Sequence, residues 1–181
     1  MNEMTITIID IAAALWFIFP AYCANAAPVI FGGGKPMDFG KTFFDGKPLF
    51  GSHKTFRGFF AGIIVGTLVG VAQTLIYEQV LIQYSTQFQY SILLGFVMAI
   101  GAVTGDLIES CIKRRLNRSP GSSLPIADQL DFILGAFLFS ITVSPPSLVA
   151  IVIILLITIP THWLTNLGAT LLNMKNKRKT K

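Results

Sequence analysis

Gly58-Phe59-Phe60-Ala61-Gly62-Ile63-Ile64-Val65-Gly66-Thr67-Leu68-Val69-Gly70 decides the fold class of this chain. It opens an apolar run over about 58–82, and a membrane-crossing helix needs roughly 20 such residues. Gly58, Gly62, Gly66 and Gly70 recur at every fourth position and fall on one helical face. Small residues at that spacing let membrane helices approach closely. The stripe reads first as packing inside one bundle and second as the contact face of a homodimer. Either way, the segment is a helix that crosses a bilayer against other helices.

Four more segments have the same character, at about 4–31, 89–112, 127–144 and 146–173. The chain has 181 residues, 52% hydrophobic and 13% charged, which is one domain by length and too apolar for a typical soluble one. The expected fold class is therefore all-α: a polytopic membrane protein with five transmembrane helices, forming a single integral membrane domain over 1–181. An odd number of spans puts the termini on opposite faces.

Charge gives the orientation. Lys35, Lys41, Lys47, Lys54 and Arg57 follow the first span, and Lys113, Arg114, Arg115 and Arg118 follow the third. Lys175, Lys177, Arg178, Lys179 and Lys181 follow the fifth, while the connections near Tyr77–Gln89 and Ser144–Ser147 carry no basic residue. Short loops rich in Lys and Arg stay cytoplasmic. Loops 32–57 and 113–126 are thus read as cytoplasmic, with the N-terminus outside, the C-terminus inside and the active site facing the cytoplasm. The net charge of +5 needs no nucleic-acid partner, because this asymmetry accounts for it. The tail from Lys175 to Lys181 suits anionic membrane lipids, at about 1 kcal/mol per basic residue. Glu3 and Asp10, with no Lys or Arg, mark the start of the chain; a signal peptide has a basic start, so the first helix is read as retained. Cys23 and Cys111 lack metal-ligand spacing and read as small, unbridged hydrophobes.

Acids near a span need a reason, since one at its centre costs about 2.5–3.5 kcal/mol on insertion scales. Asp106, Glu109, Ser110 and Lys113 share one face of the third helix, and Asp128 and Asp131 share a face at the start of the fourth. The short second loop can bring the two sets together at the inner surface. Carboxylates beside Lys and Arg suit hard cations and phosphates: Mg²⁺ takes oxygen ligands, and basic groups neutralise charge on a transferred phosphate. Simpler roles compete. Asp128 and Asp131 can cap the fourth helix, Asp106 and Glu109 can pair with Lys113 or Arg114, and His162 can hydrogen-bond within the bundle. Asp10, in the outer half of the first helix, has no partner legible in the sequence. Gly32-Gly33-Gly34 ends the first helix, and the first loop, with Phe39, Phe43, Phe44, Phe50 and Phe56, is too aromatic for a disordered linker. It is expected to fold onto the membrane surface or into a cavity.

Ser110-Cys111-Ile112-Lys113-Arg114 and Asp128-Gln129-Leu130-Asp131, preceded by Gly105-Asp106-Leu107-Ile108-Glu109, resemble the signature of the CTP-dependent cytidylyltransferases that make CDP-diacylglycerol or its archaeal ether equivalent. Ser52-His53-Lys54-Thr55-Phe56-Arg57-Gly58 is similar to a further stretch of that group. The archaeal branch, the CDP-archaeol synthases, is closer. It resembles this chain in Ala24-Asn25-Ala26-Ala27-Pro28, in Gly32 to Lys41, in Asp45-Gly46-Lys47-Pro48-Leu49-Phe50-Gly51 and in Thr161-His162-Trp163-Leu164-Thr165-Asn166. Two departures from the bacterial pattern stand out: Gln129 replaces an Arg, and Leu124-Pro125-Ile126-Ala127 stands where His-Gly-Gly is usual.

The resemblance implies an enzyme that transfers CMP from CTP to a bis-geranylgeranyl-ether glycerol phosphate, giving unsaturated CDP-archaeol and pyrophosphate. It implies Mg²⁺ as cofactor, with Asp106, Asp128 and Asp131 as metal ligands and Glu109 beside them. Lys54, Arg57, Lys113 and Arg114 would hold phosphates, with Lys54 also catalytic. Asn25, Lys35, Ser52, His162 and Asn166 fall among the substrate-binding positions. The implied partners are CTP, an isoprenoid-ether glycerol phosphate lipid and the surrounding membrane lipids. Two other functions fit the acids less well. A CDP-alcohol phosphotransferase needs an Asp pair four apart, whereas Asp128 and Asp131 are three apart. A small Mg²⁺ transporter needs ionisable groups across the bilayer.

Overall fold

The computed structural model describes residues 6–81, 90–119, 122, 124 and 126–160. Among the described residues there are helices and loops and no strand. Helix α1 is Ile8–Phe31, α2 is Phe56–Ile76, α3 is Ile92–Arg115 and α4 is Ala127–Ser140; α5 is described over Leu148–Pro160. Helices α1 and α3, and α2 together with its π-helical continuation Tyr77–Leu81, are long and apolar enough to cross a membrane. The rest of the expected fifth span, with His162, Asn166 and the basic tail, lies outside the described residues.

The helix ends follow local chemistry. Thr55 Oγ1 accepts a hydrogen bond from Gly58 N at 3.2 Å, the usual work of an N-cap threonine, so α2 begins at Phe56, two residues earlier than expected. Helix α3 runs three residues further than expected, to Arg115. Its last turn holds Lys113, Arg114 and Arg115, and cations are favoured at a helix C-terminus. Arg114 and Arg115 were expected in the second loop; being helical, the three basic residues point in three fixed directions. Helix α4 stops at Ser140, short of the expected 144, because Pro145 and Pro146 follow and a proline disfavours helical backbone in the residue before it.

The bundle is small-residue inside and large-residue outside. Ala14, Ala21, Ala24, Ala99, Ala102 and Ala136 are buried, with Ile18, Met98, Phe132, Ile133 and Ile154 filling the centre. Ile64, Leu68, Leu138 and Leu156 are each more than half exposed. In water such a surface would associate. In a bilayer, lipid tails are as apolar as Leu, so close packing rather than apolar burial holds the helices together. The glycine stripe of α2 does this work within the chain. A Cβ on Gly62 would stand 2.5 Å from Val103 Cγ1 and 2.8 Å from the Ala24 carbonyl oxygen, and one on Gly66 would stand 2.6 Å from Ala99 Cβ. The stripe therefore faces α1 and α3. Some buried polar groups are tied across helices: Gln73 Nε2 donates to the Trp16 carbonyl at 2.6 Å, and the hydroxyls of Tyr22 and Thr158 hydrogen-bond each other.

The first loop folds into a compact lobe. Asp38, 7% exposed, accepts hydrogen bonds from the backbone N–H groups of Gly40, Phe50 and Gly51 at 3.0, 3.2 and 2.8 Å. Burial alone would push its carboxyl up; these N–H groups outweigh that and hold it below the usual carboxylate range. Met37 N donates to the Lys54 carbonyl at 2.8 Å and Phe43 N to that of Lys47 at 2.8 Å. Gly46, at φ +74°, makes the tight turn between the last two, in backbone that a side chain would strain.

Candidate active site

Two close helix contacts build the site. A Cβ on Gly105 would lie 2.1 Å from the Asp131 carbonyl oxygen, and one on Gly135 would lie 2.1 Å from that of Gly101. Only hydrogen fits at these positions, so α3 and α4 touch backbone to backbone. Gly105 directly precedes Asp106, and the glycine contact thus sets the acids of α3 beside those of α4. The result is a polar cavity of about 250 Å³. Asp106, Glu109, Ser110, Lys113 and Arg114 of α3 line it, with Asp128 and Asp131 of α4. Phe50, His53 and Lys54 enter from the first loop, Asn25 from α1, and Ser122 from the second loop.

Two ammonium groups hold the acids. Lys54 Nζ lies 2.6 Å from both carboxylate oxygens of Asp106. Lys113 Nζ bridges Glu109 Oε2 at 2.9 Å and Asp128 Oδ1 at 2.6 Å. Asp128 Oδ1 also accepts from Leu124 N at 3.1 Å, and Asp131 Oδ1 from its neighbour Phe132 N at 2.6 Å. Neither aspartate caps α4: the N-cap position is Ile126, which makes no side-chain cap. The capping role weighed for these acids therefore does not explain them.

Arg114 is different. It is 5% exposed, and its Nε and Nη1 have no hydrogen-bond partner in the structure. A buried guanidinium with unused donors is costly unless an anion meets it. Glu109 Oε1 and Ser122 Oγ, in the same cavity, are also buried and unpaired. The cavity wall thus offers unused donors beside a carboxylate cluster, an arrangement suited to a phosphate group with a bound cation.

Of the residues singled out in the sequence, Asp106, Glu109, Asp128, Asp131, Lys54, Lys113, Arg114 and Asn25 come together here. Lys35, Ser52 and Arg57 lie exposed and do not line the cavity; His162 and Asn166 are outside the described residues. Sequence reasoning missed His53, whose neighbour Lys54 drew the attention, and also Asp38 and Asp45, whose Asp-x-Gly and Asp-Gly settings are turn signals. Asp10 has a partner after all, since it forms a capping box with Thr7. Cys23 and Cys111 are free and half-buried.

The donor set suits a hard cation: four carboxylates in one cavity, with an unpaired buried oxygen on Glu109. Among the described residues no three acidic, His or Cys side chains converge as a ready-made metal cage. Mg²⁺ rarely needs one, because it is usually held by one or two carboxylates together with substrate phosphates.

A second, apolar groove of about 400 Å³ runs along the outside of α3 and α4, lined by Ile108, Ile112, Leu130, Leu134 and Leu138 over the contact glycines Gly105 and Gly135. Glu109 and Asp131 line both the groove and the polar cavity.

Comparison with known proteins shows the family. A family model described as CarS-like, CDP-archaeol synthase, matches residues 5–178. The CDP-archaeol synthase of Pyrococcus furiosus is 43% identical over 166 residues, covering 92% of this chain and 96% of that protein. The CDP-archaeol synthase of Methanocaldococcus jannaschii is 44% identical over 168 residues, covering 91% and 94%. A solved structure, described as an intramembrane enzyme for archaeal membrane lipids biosynthesis, superposes with a TM-score of 0.72 at 34% identity and covers 85% of this chain and 92% of that one. The chain belongs to the CDP-archaeol synthase family.

Proposed function

We propose that this chain transfers CMP from CTP to the phosphate of an isoprenoid-ether glycerol phosphate, forming unsaturated CDP-archaeol and pyrophosphate. The observation that carries the reading is the meeting of two compartments at Glu109 and Asp131. A polar cavity with unused Arg114 donors adjoins an apolar groove on the lipid-facing side. A lipid phosphate with its chains along α3 and α4 would enter the cavity headgroup first. Family membership does not favour a CDP-alcohol phosphotransferase or a Mg²⁺ transporter.

In the transfer, an oxygen of the lipid phosphate attacks the α-phosphorus of CTP. The new P–O bond forms as the bond to the β-phosphate oxygen breaks, and pyrophosphate carries away the electron pair. The attacking phosphate is already ionised near neutral pH, so positioning and charge neutralisation matter more than a general base. Arg114 meets phosphate oxygens with its free donors. Lys54, now on Asp106, is placed to follow the charge that develops on the leaving pyrophosphate. Lys113 fixes Glu109 and Asp128 in place. Asp106, Asp128 and Asp131, with Glu109, would hold Mg²⁺, which supplies a Lewis acid for the phosphate oxygens.

The positive-inside pattern supports five spans with the cavity on the cytoplasmic side. The test is direct. Purified protein with CTP, Mg²⁺ and the bis-geranylgeranyl-ether glycerol phosphate should release pyrophosphate and form a CDP-lipid. Release that does not require the lipid phosphate would overturn the reading. A cysteine at Gln83 should label from outside only and one at Lys177 from inside only; labelling of both from one side would sink the topology.

A further inference from the structure

Arg115 shares the last turn of α3 with Lys113 and Arg114 but turns away from the polar cavity toward the first loop. Its Nε donates to Asp45 Oδ2 at 2.6 Å, and its Nη2 to Asp45 Oδ1 at 3.2 Å. The same Nη2 reaches the carbonyl oxygens of Pro48 at 3.0 Å and Lys47 at 3.4 Å. The guanidinium carbon stands 5.2 Å from the centroid of the Phe43 ring. Lys47 answers from the loop: its Nζ donates to the Arg115 carbonyl at 3.1 Å, one of the carbonyls a helix end leaves open. Both ends of the contact are thus used, charge to charge and side chain to backbone.

The loop behind this contact is one hydrogen-bonded body. Asp38 gathers Gly40, Phe50 and Gly51, and Met37 N on the Lys54 carbonyl joins that lobe to Lys54. Lys54 in turn meets Asp106. The lobe therefore touches α3 at two places, Arg115 at its tip and Asp106 at the cavity. A lysine side chain alone is a flexible tether. A forked guanidinium that pairs, donates to backbone and covers a ring fixes orientation as well as distance.

We propose that the Asp45–Arg115 pair is a latch that seats the first loop on α3 and so sets Lys54 against Asp106, making Arg115 a positioning residue for the transfer. The inference rests on the role given to Lys54 above. Asp45 is held below the usual carboxylate range, first by its hydrogen bond from Arg115, so the pair stays charged throughout the neutral range.

The experiment compares full-length Arg115→Ala, Lys54→Ala, the double variant and the swap Asp45→Arg with Arg115→Asp, in CTP- and lipid-dependent pyrophosphate release. Hydrogen exchange of the loop is followed in parallel. Arg115→Ala should lower kcat by about tenfold to a hundredfold, the upper end being the scale of a misplacement of about 1 Å, with faster exchange across 37–54 and unchanged exchange in the centre of α3. Adding Arg115→Ala to Lys54→Ala should cost nothing further, and the charge swap, which restores the ion pair but not the contacts to the Lys47 and Pro48 carbonyls or the Phe43 ring, should recover part of the rate. Losses that multiply in the double variant, or a single variant whose loop exchange is unchanged, would overturn the latch. If Arg115→Ala fails to fold, Asp45→Asn gives the same readouts from a surface loop. If Lys54→Ala keeps full activity, the role of Lys54 falls; a latch without that role would still show in the exchange of the loop.

Discussion

Asp10 and Asp106 are both acids within apolar helices, and the chain uses them differently. Asp10 serves its own first turn: Thr7 N and Oγ1 donate to its carboxylate at 2.8 and 2.6 Å, and Asp10 N donates back to Thr7 Oγ1 at 3.2 Å. Asp106 is met by Lys54, from another element fifty-two residues away in sequence. Beside it, Lys113 bridges Glu109 of its own helix to Asp128 of α4. The first acid serves a helix end, and the second belongs to a site lined by α1, the first loop, α3, the second loop and α4 together. On the proposed function, the local acid bears on stability and the acids gathered across elements bear on the transfer.

The sharpest way to break this contrast is to neutralise the long-range acids. Asp106→Asn, Asp128→Asn and Asp131→Asn should each lower transfer by about a thousandfold or more, roughly 4 kcal/mol of barrier, with helix content unchanged by circular dichroism. An amide cannot supply a carboxylate's charge to a cation. Near-normal rates in all three would reduce the cluster to structural ion pairing.

Arg114 comes next. Arg114→Ala should lower kcat/KM by about a hundredfold, in line with loss of a charge-assisted contact to phosphate. Because its Nε and Nη1 have no protein partner, the melting temperature should hold or rise. A large fall in stability with unchanged kinetics would make it a structural residue instead.

The glycine stripe separates packing from chemistry. Gly62→Leu should destabilise the fold by at least about 1–3 kcal/mol, the usual range for overpacking, read as a lower thermal midpoint in detergent. If the stripe instead served a homodimer, the monomer would keep its stability and the oligomer would dissociate.

The smallest effect belongs to Asp10. Asp10→Ala should remove about 1 kcal/mol of helix capping and leave the specific activity of folded protein unchanged. A loss of turnover there would erase the contrast between the two acids.

Much of this was legible in the sequence because it is periodic or compositional. The apolar lengths located the helices, the four-residue glycine spacing on α2 gave a packing face, and the three-residue spacings put Asp106 with Glu109 and Asp128 with Asp131. What periodicity could not show was pairing between elements. Periodicity put Lys113 on the helical face of Glu109, but not the bridge it makes from Glu109 to Asp128 of the next helix. Arg57 was read as a phosphate ligand and Lys35 as a substrate-binding residue; both lie exposed and neither lines the cavity. Arg115 looked like one more topological charge and instead clasps the first loop.

The amino-acid sequence by itself determined that this chain is a helical membrane protein with its acids and bases gathered toward one side. Hydrophobic length and charge asymmetry are properties of segments, and they need no knowledge of neighbours. Only the tertiary structure decided which charges meet. The backbone contact of Gly105 with Asp131 and of Gly135 with Gly101 sets α3 against α4, and the folded first loop carries Lys54 to Asp106. Those distances depend on how helices cross and where a loop lands. A linear spacing fixes neither, because groups far apart in sequence become neighbours only through close packing.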